Sequence, residues 1–219
     1  MRLIILGPPG IGKGTQAKRL CKRYSLSHLS TGDMFRSAIL EKNAVGNIAE
    51  SYINFGKLVP DDIVLNMVEE KLAEIEKFRG FIFDGFPRTV PQATGFKKLI
   101  DAVGLSLDKV LAIHGDISIL LERLSSRRTC SQCGKIINLI FSTPKVYGQC
   151  DRCSGDLFQR DDDKENVIIK RLEIYKIQTE PLLNYYDNEH LLLKVSGLGS
   201  IDDVTARIER GVENLIKAE

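Results

Sequence analysis

The chain has 219 residues, 43% hydrophobic and 27% charged, with 31 Lys and Arg against 29 Asp and Glu for a formal charge of +2. That balance excludes disordered and collagen-like chains and leaves no general basic coat for nucleic acid or an acidic membrane. No apolar run approaches the ~18 residues that span a bilayer, so the expectation is a soluble cytoplasmic protein, one compact domain with appended lobes.

In chain order, Leu3–Leu6 is a short apolar run that predicts a buried parallel strand. A glycine-rich turn follows, then an amphipathic helix from Lys13 to Tyr24, on which Cys21 shares a face with Ala17, Leu20 and Tyr24 and reads as a small buried hydrophobe. Residues 31–59 read as mostly helical without a strand, closing on Gly56-Lys57-Leu58-Val59-Pro60. A helix over Ile63–Ile75, strands at Phe81–Phe83 and Val110–Ile113, and a helix over Ile117–Arg127 come next. Residues 128–163 hold four cysteines between turns marked by Pro144, Gly148 and Gly155. A helix over Val167–Thr179 is expected to stop at Pro181, and Leu191–Val195 is a last strand. The final helix, Ile201–Lys217, repeats Val204, Ile208, Val212 and Leu215 at helical spacing behind a Ser200 cap. Strand–helix alternation predicts an α/β fold, a doubly wound parallel sheet with helices on both faces. Three units are expected: a core of residues 1–30, 60–127 and 164–219, a helical insertion at 31–59, and a lid at 128–163.

Gly7-Pro8-Pro9-Gly10-Ile11-Gly12-Lys13 fits G-x4-G-K between a strand and a helix, the context of a phosphate-binding loop. Its N–H groups and the helix N-terminus favour an anion, and Lys13 adds a point charge. Gly14 stands where the pattern wants a hydroxyl, so Thr15 becomes the candidate near Mg²⁺. Asp84 ends its strand where a carboxylate holds Mg²⁺ through water. Next comes Gly85-Phe86-Pro87-Arg88, and an arginine suits a second phosphate better than it suits activating water. The acceptor is expected to be phosphorylated.

With Leu29–Arg36 (LSTGDMFR), Gly56–Asp61 (GKLVPD), Phe83–Gln92 (FDGFPRTVPQ), Arg123–Arg128 (RLSSRR), Arg160–Asp163 (RDDD) and Arg171 in order behind the GPPGIGKGT loop, the sequence resembles the adenylate kinase family, of the long-lid zinc-binding type, over essentially its full length. The resemblance implies Mg·ATP + AMP ⇌ 2 ADP, an enzyme of adenine nucleotide balance, with 31–59 as the NMP-binding insertion. It implies ATP contacts at Gly10, Gly12, Lys13, Gly14, Thr15, Arg123, Arg127 and Gly199. It implies AMP contacts at Thr31, Arg36, Lys57, Val59, Gly85, Arg88, Gln92, Arg160 and Arg171, with Gln92 reading the adenine edge. Lys13, Arg88, Arg123, Arg127, Arg160 and Arg171 would be catalytic, and Asp162 and Asp163 would tie the lid arginines. Arg123 and Arg127, four apart, would share one helix face. Val195-Ser196-Gly197-Leu198-Gly199 departs from the family's usual Val-Asp-Gly-Thr, which loosens the expected grip on the donor base.

Cys130, Cys133, Cys150 and Cys153 form two C-x2-C hooks separated by sixteen residues, a structural Zn²⁺ set with no open position. Arg127, Arg128 and Lys135 are expected to offset its negative charge. Redox dithiols are the alternative. Two other functional readings stand beside the first. One is an NMP kinase of broader base specificity at either site; the other is a zinc-ribbon protein that binds nucleic acid with ATP as a switch. Between Ser131 and Gln159 three basic residues face two acidic ones, too little charge for a nucleic-acid footprint. A monomer is expected, though nothing in the sequence fixes the oligomeric state.

Overall fold

The computed structural model describes residues 1–74 and 80–216, with side chains through 213. The expected helix ends at Ile75 and Lys217 lie outside the described residues, as does the side chain of Leu215. The central sheet has five parallel strands: β1 (Arg2–Leu6), β2 (Ser27–Ser30), β3 (Phe81–Asp84), β4 (Lys109–His114) and, after three short strands in a separate small sheet, β8 (Leu192–Ser196). Their order is β2-β3-β1-β4-β8. The chain leaves β1 toward β2 and returns through β3, then crosses to β4 on the other side. The carboxyl end of β1 is therefore the switch point, where open α/β sheets bind ligands.

Apolar runs rather than alternating ones make these strands because both sheet faces are covered. Ile4 and Leu6 face a cluster built on Phe81, Phe83, Phe86 and Phe96, whose rings meet at 5.1–6.5 Å. Leu3 and Ile5 face the other way, against α1 (Lys13–Tyr24) and α9 (Ile201–Ile216), which contribute Leu20, Ile208 and Val212. Cys21 is half-buried against this second cluster, and burial raises its thiol to about 11. Ser200 caps α9 reciprocally: its Oγ accepts from the Asp203 N–H at 3.1 Å, and Asp203 Oδ2 accepts from the Ser200 N–H at 2.9 Å.

Residues 31–59 form α2 (Thr31–Leu40) and α3 (Ala44–Ile53), and α4 (Asp61–Glu74) returns the chain toward β3. α5 is Val90–Ala102 and α6 is Ser118–Ser125. The strand β2, Ser-His-Leu-Ser, is an addition to the expected set. Three expectations need correction. The helix expected to reach Arg127 ends at Ser125, and Arg127 opens β5 (Arg127–Cys130), so Arg123 and Arg127 do not share a helix face. The helix expected to run to Thr179 is α7 (Glu165–Ile174) followed by a π-helical turn, Tyr175–Thr179. Pro181 does not stop it; it begins α8 (Pro181–Asn188), a first-turn position where its missing N–H costs nothing.

β5 lies between β6 (Ile136–Asn138) and β7 (Leu157–Phe158) in an antiparallel sheet beside the four cysteines. Among the described residues, no helix is long and apolar enough to cross a membrane.

Candidate active site

A cleft of about 780 Å³ opens at the carboxyl end of β1, between the main sheet, α2–α3 and the small antiparallel sheet. Its floor is the glycine-rich loop. Gly12, at φ 104°, starts α1 in a left-handed conformation, and no side chain caps the helix there. The α1 N-terminus is thus left to an anion from the cleft. Lys13 donates to the carbonyls of Gly7 (2.8 Å) and Pro8 (3.0 Å). Burial lowers its ammonium to about 7, with Asp84 opposing and Arg88, Arg171 and Arg127 adding to the fall. A Cβ on Gly14 would lie 3.0 Å from Asp84 Oδ2, so the helix start and the β3 carboxylate are in close approach. Gly10 and the exposed Thr15 also border the cleft.

One wall comes from α2 and the β3–α5 turn. Ser30 caps α2, accepting from the Asp33 N–H at 3.2 Å, which frees Thr31 to donate to the Gly85 carbonyl at 2.9 Å. Arg36 pairs with Asp33, whose carboxyl burial pushes up and Arg36 pulls down further. Arg88 Nε donates to the Gly85 carbonyl at 2.8 Å, and Gln92 Oε1 accepts from the Arg88 N–H at 2.8 Å. Exposed Lys57 and buried Val59 complete this wall.

The other wall carries Arg123, Arg127, Arg160 and Arg171. The Arg123 guanidinium lies 5.3 Å from the centroid of the Phe141 ring, and Asn138 donates to its carbonyl at 2.7 Å. Both partners come from the 128–163 segment and were not singled out in the sequence. Arg127 clamps the fully buried Asp163, Nε to Oδ2 at 2.7 Å and a second N–H to Oδ1. Arg171 reaches Asp162 Oδ2 at 3.1 Å and Asp163 Oδ1 at 3.2 Å. Burial pushes Asp162 up, but Arg171 and Arg127 outweigh it and leave the carboxyl below its ordinary value. Of the two aspartates only Asp162 borders the cleft; Asp163 stands behind the arginines. Arg160 donates to Thr129 Oγ1 at 2.8 Å. Gly199, at φ 98°, and Ser200 close the far end.

Among the described residues, Arg88 and Arg160 have no carboxylate partner, and burial lowers both guanidinium groups to about 10. Charges held in this way, out of water and beside other arginines, fit a ligand of several negative charges.

The four cysteine sulfurs lie within 4.8 Å of one another, with Cys130–Cys153 at 3.4 Å and Cys133–Cys150 at 3.7 Å. A tetrahedron with ~2.3 Å metal–sulfur bonds requires sulfurs about 3.8 Å apart. The donor set fits such an ion. Backbone N–H groups of Cys133 and Gln132 favour the Cys130 thiolate, lowering it to about 6. Of the cations expected to offset its charge, Arg127 is held by Asp163, while Arg128 keeps, among the described residues, an uncompensated charge and donates to the carbonyls of Ser125 (2.9 Å) and Arg127 (2.8 Å).

Several partners had no local signal in the sequence. Asp61 holds Thr89 and Gln92, Thr179 Oγ1 donates to the Arg88 carbonyl at 2.9 Å, and His28 Nε2 lies 3.6 Å from Asp84 Oδ2. Each is distant in sequence from what it touches.

The adenylate kinase family model matches residues 5–191. An adenylate kinase of Geotalea uraniireducens is 49% identical over 208 residues, covering 95% of this chain and 96% of its own. One from Thermodesulfovibrio yellowstonii is 49% identical over 204 residues, covering 93% and 95%. One from Carboxydothermus hydrogenoformans is 45% identical over 213 residues, covering 97% and 100%.

Proposed function

This chain belongs to the adenylate kinase family, and on that footing we propose how its cleft serves two nucleotides. The reaction is reversible phosphoryl transfer from Mg·ATP to AMP, giving two ADP. Phosphoryl transfer asks for alignment and compensation of charge on the equatorial oxygens rather than for a general base. The observation that carries the residue assignment is the pair of desolvated guanidinium groups, Arg88 and Arg160, on opposite walls of one cleft and without a carboxylate partner among the described residues.

In this reading ATP lies along the α1 N-terminus, with Gly10, Gly12, Lys13, Gly14 and Thr15 around its phosphates. Arg123 and Arg127 hold the donor side and Gly199 flanks the base. AMP lies between Thr31, Arg36, Lys57, Val59, Gly85, Arg88 and Gln92, with Arg88 and Arg36 on its phosphate. Arg160 and Arg171 meet both substrates where the phosphoryl group passes. Lys13 moves its ammonium from the Gly7 and Pro8 carbonyls to the phosphates, which restores its charge. Asp84 and Thr15 are the residues that would hold Mg²⁺ through water, and Mg²⁺ supplies neutralisation of the phosphate oxygens. Residues 31–59 and 128–163 act as parts that close on the core 1–30, 60–127 and 164–219 and exclude water, with Asp162 and Asp163 setting the arginines in place. Acceptor profiling with AMP, GMP, CMP and UMP tests this assignment, since a strong AMP preference is expected.

Donor selectivity is expected to be loose. The carbonyls of Ser196 and Leu198 each accept from Arg207, which takes one of the two lone pairs on each oxygen and competes with an amino group on the base. GTP is expected to phosphorylate AMP within about tenfold of ATP in kcat/KM. A preference for ATP above a thousandfold would show that the loop reads adenine regardless.

The cysteine cluster is read as a structural zinc site, because four thiolates leave no open position and no cysteine borders the cleft. The small sheet around it is too short to bury a core of its own, so a metal cross-link takes that role. Cys130→Ser is expected to abolish stoichiometric zinc and lower the Tm, while kinase activity at low temperature largely survives. Activity that tracks zinc occupancy in still-folded protein would overturn the structural role.

A further inference from the structure

Gln92 is only 1% exposed and borders the cleft, and both ends of its amide are engaged. Nε2 donates to Asp61 Oδ1 at 2.7 Å, and Oε1 accepts from the Arg88 N–H at 2.8 Å. Asp61 is the first residue of α4; its other oxygen, Oδ2, accepts from Thr89 Oγ1 at 3.0 Å, which pins the carboxylate. The Gln92 N–H in turn donates to Thr89 Oγ1 at 3.1 Å, so the group is closed on itself.

An amide side chain can ordinarily turn over, exchanging its donor and acceptor ends at little cost. Here each neighbour has a single polarity. An ionised carboxylate only accepts and a main-chain N–H only donates, so a turned amide would set oxygen against carboxylate and N–H against N–H. After these bonds, one N–H on Nε2 and one lone pair on Oε1 remain. That pair complements the edge of a 6-aminopurine, whose amino group donates and whose N1 accepts. A 6-oxopurine presents the reverse, an acceptor at O6 and a donor at N1, and would be read only by the turned amide.

We propose that Asp61 is a positioning residue that sets acceptor-base specificity, by locking the Gln92 amide in the orientation that reads a 6-aminopurine and refuses a 6-oxopurine. This rests on the reading of Gln92 as the AMP base contact. Asp61 touches no substrate and acts through Gln92.

The test compares kcat/KM for AMP with that for inosine monophosphate, a 6-oxopurine without further exocyclic groups, in the full-length enzyme with ATP as donor. Because both acceptors sample the same folded fraction, the ratio does not change with partial unfolding or with general loss of activity. Asp61→Asn offers a neighbour that can donate or accept and is expected to lower the AMP preference by about tenfold or more. Asp61→Ala, with no lock on that side, is expected to lower it at least as far and serves if the first variant folds poorly. Gln92→Leu is the reference for the underlying reading and is expected to collapse the preference. If Gln92→Leu collapses it while both Asp61 variants keep the wild-type ratio, the lock is refuted and the base contact stands. If Gln92→Leu itself keeps the ratio, the base contact is refuted and the lock falls with it.

Discussion

Arg88→Ala is expected to lower kcat by about 10³-fold, the scale of a lost arginine on a transferring phosphoryl group. The same change is expected to leave the Tm within about 2 °C of wild type. The two halves follow from one arrangement. Among the described residues the Arg88 side chain makes a single hydrogen bond, Nε to the Gly85 carbonyl, and burial and Arg171 lower its guanidinium. Its removal costs that bond and relieves repulsion. The frame around it stays, because Gln92 and Thr179 hold the Arg88 backbone, which alanine keeps. Steady-state kinetics and calorimetry on one preparation check both. Undiminished turnover would remove Arg88 from the phosphate, and a large fall in Tm would make it a structural residue.

Asp163→Ala is expected to do the opposite, unfolding the protein more easily by about 3–5 kcal/mol. Asp163 is wholly buried and accepts from both Arg127 and Arg171. Alanine takes from Arg127 the carboxylate that clamps it and leaves Arg171 with Asp162 alone. For a chain of this size the Tm should fall by roughly 10 °C. Asp163→Asn, which keeps one acceptor, should fall between. A Tm within a degree of wild type for the alanine variant would mean that the pairs contribute nothing net.

The parts of the molecule legible in the sequence are those whose physics is local. A strand covered on both faces has to be an uninterrupted apolar run, so β1, β3 and β4 were plain. The loop between β1 and α1 has to be glycine-rich to approach a phosphate, and two cysteine hooks carry their own geometry. What escaped was decided by distant contacts. β2, Ser-His-Leu-Ser, looks like a polar turn, and becomes a strand because β3 offers it a ladder from Phe81 to Asp84. Arg127 looked like the next turn of a helix, yet the chain bends at Ser126 and spends Arg127 on a strand paired with Asn138. The cleft's arginines were readable as a set, because charge accumulates in one-dimensional motifs. Partners such as Thr179 and Phe141, and the hold of Asp61 on Gln92, were not, since nothing adjacent to them in the chain hints at the company they keep.

The strand order also fixes a sequence of events during synthesis. β1 leaves the ribosome first, but its partners are β3 and β4, so no ladder can form on it until residue 84, and its second edge waits until residue 114. β4 in turn lacks its outer neighbour until residues 192–196 have been made. The glycine-rich loop therefore has no fixed shape for the first third of translation, and the strand it follows is flanked on both sides only once β4 has been made. The cysteine segment is different in kind: its strands pair within residues 127–158, a short-range closure that can finish while β8 is still unmade. A metal captured there would draw the ends of that segment together before the outer strand arrives, shortening the loop that β8 must close. Folding on the ribosome should thus proceed from the β1, β3 and β4 ladders, through the cysteine segment, to the outer strand β8.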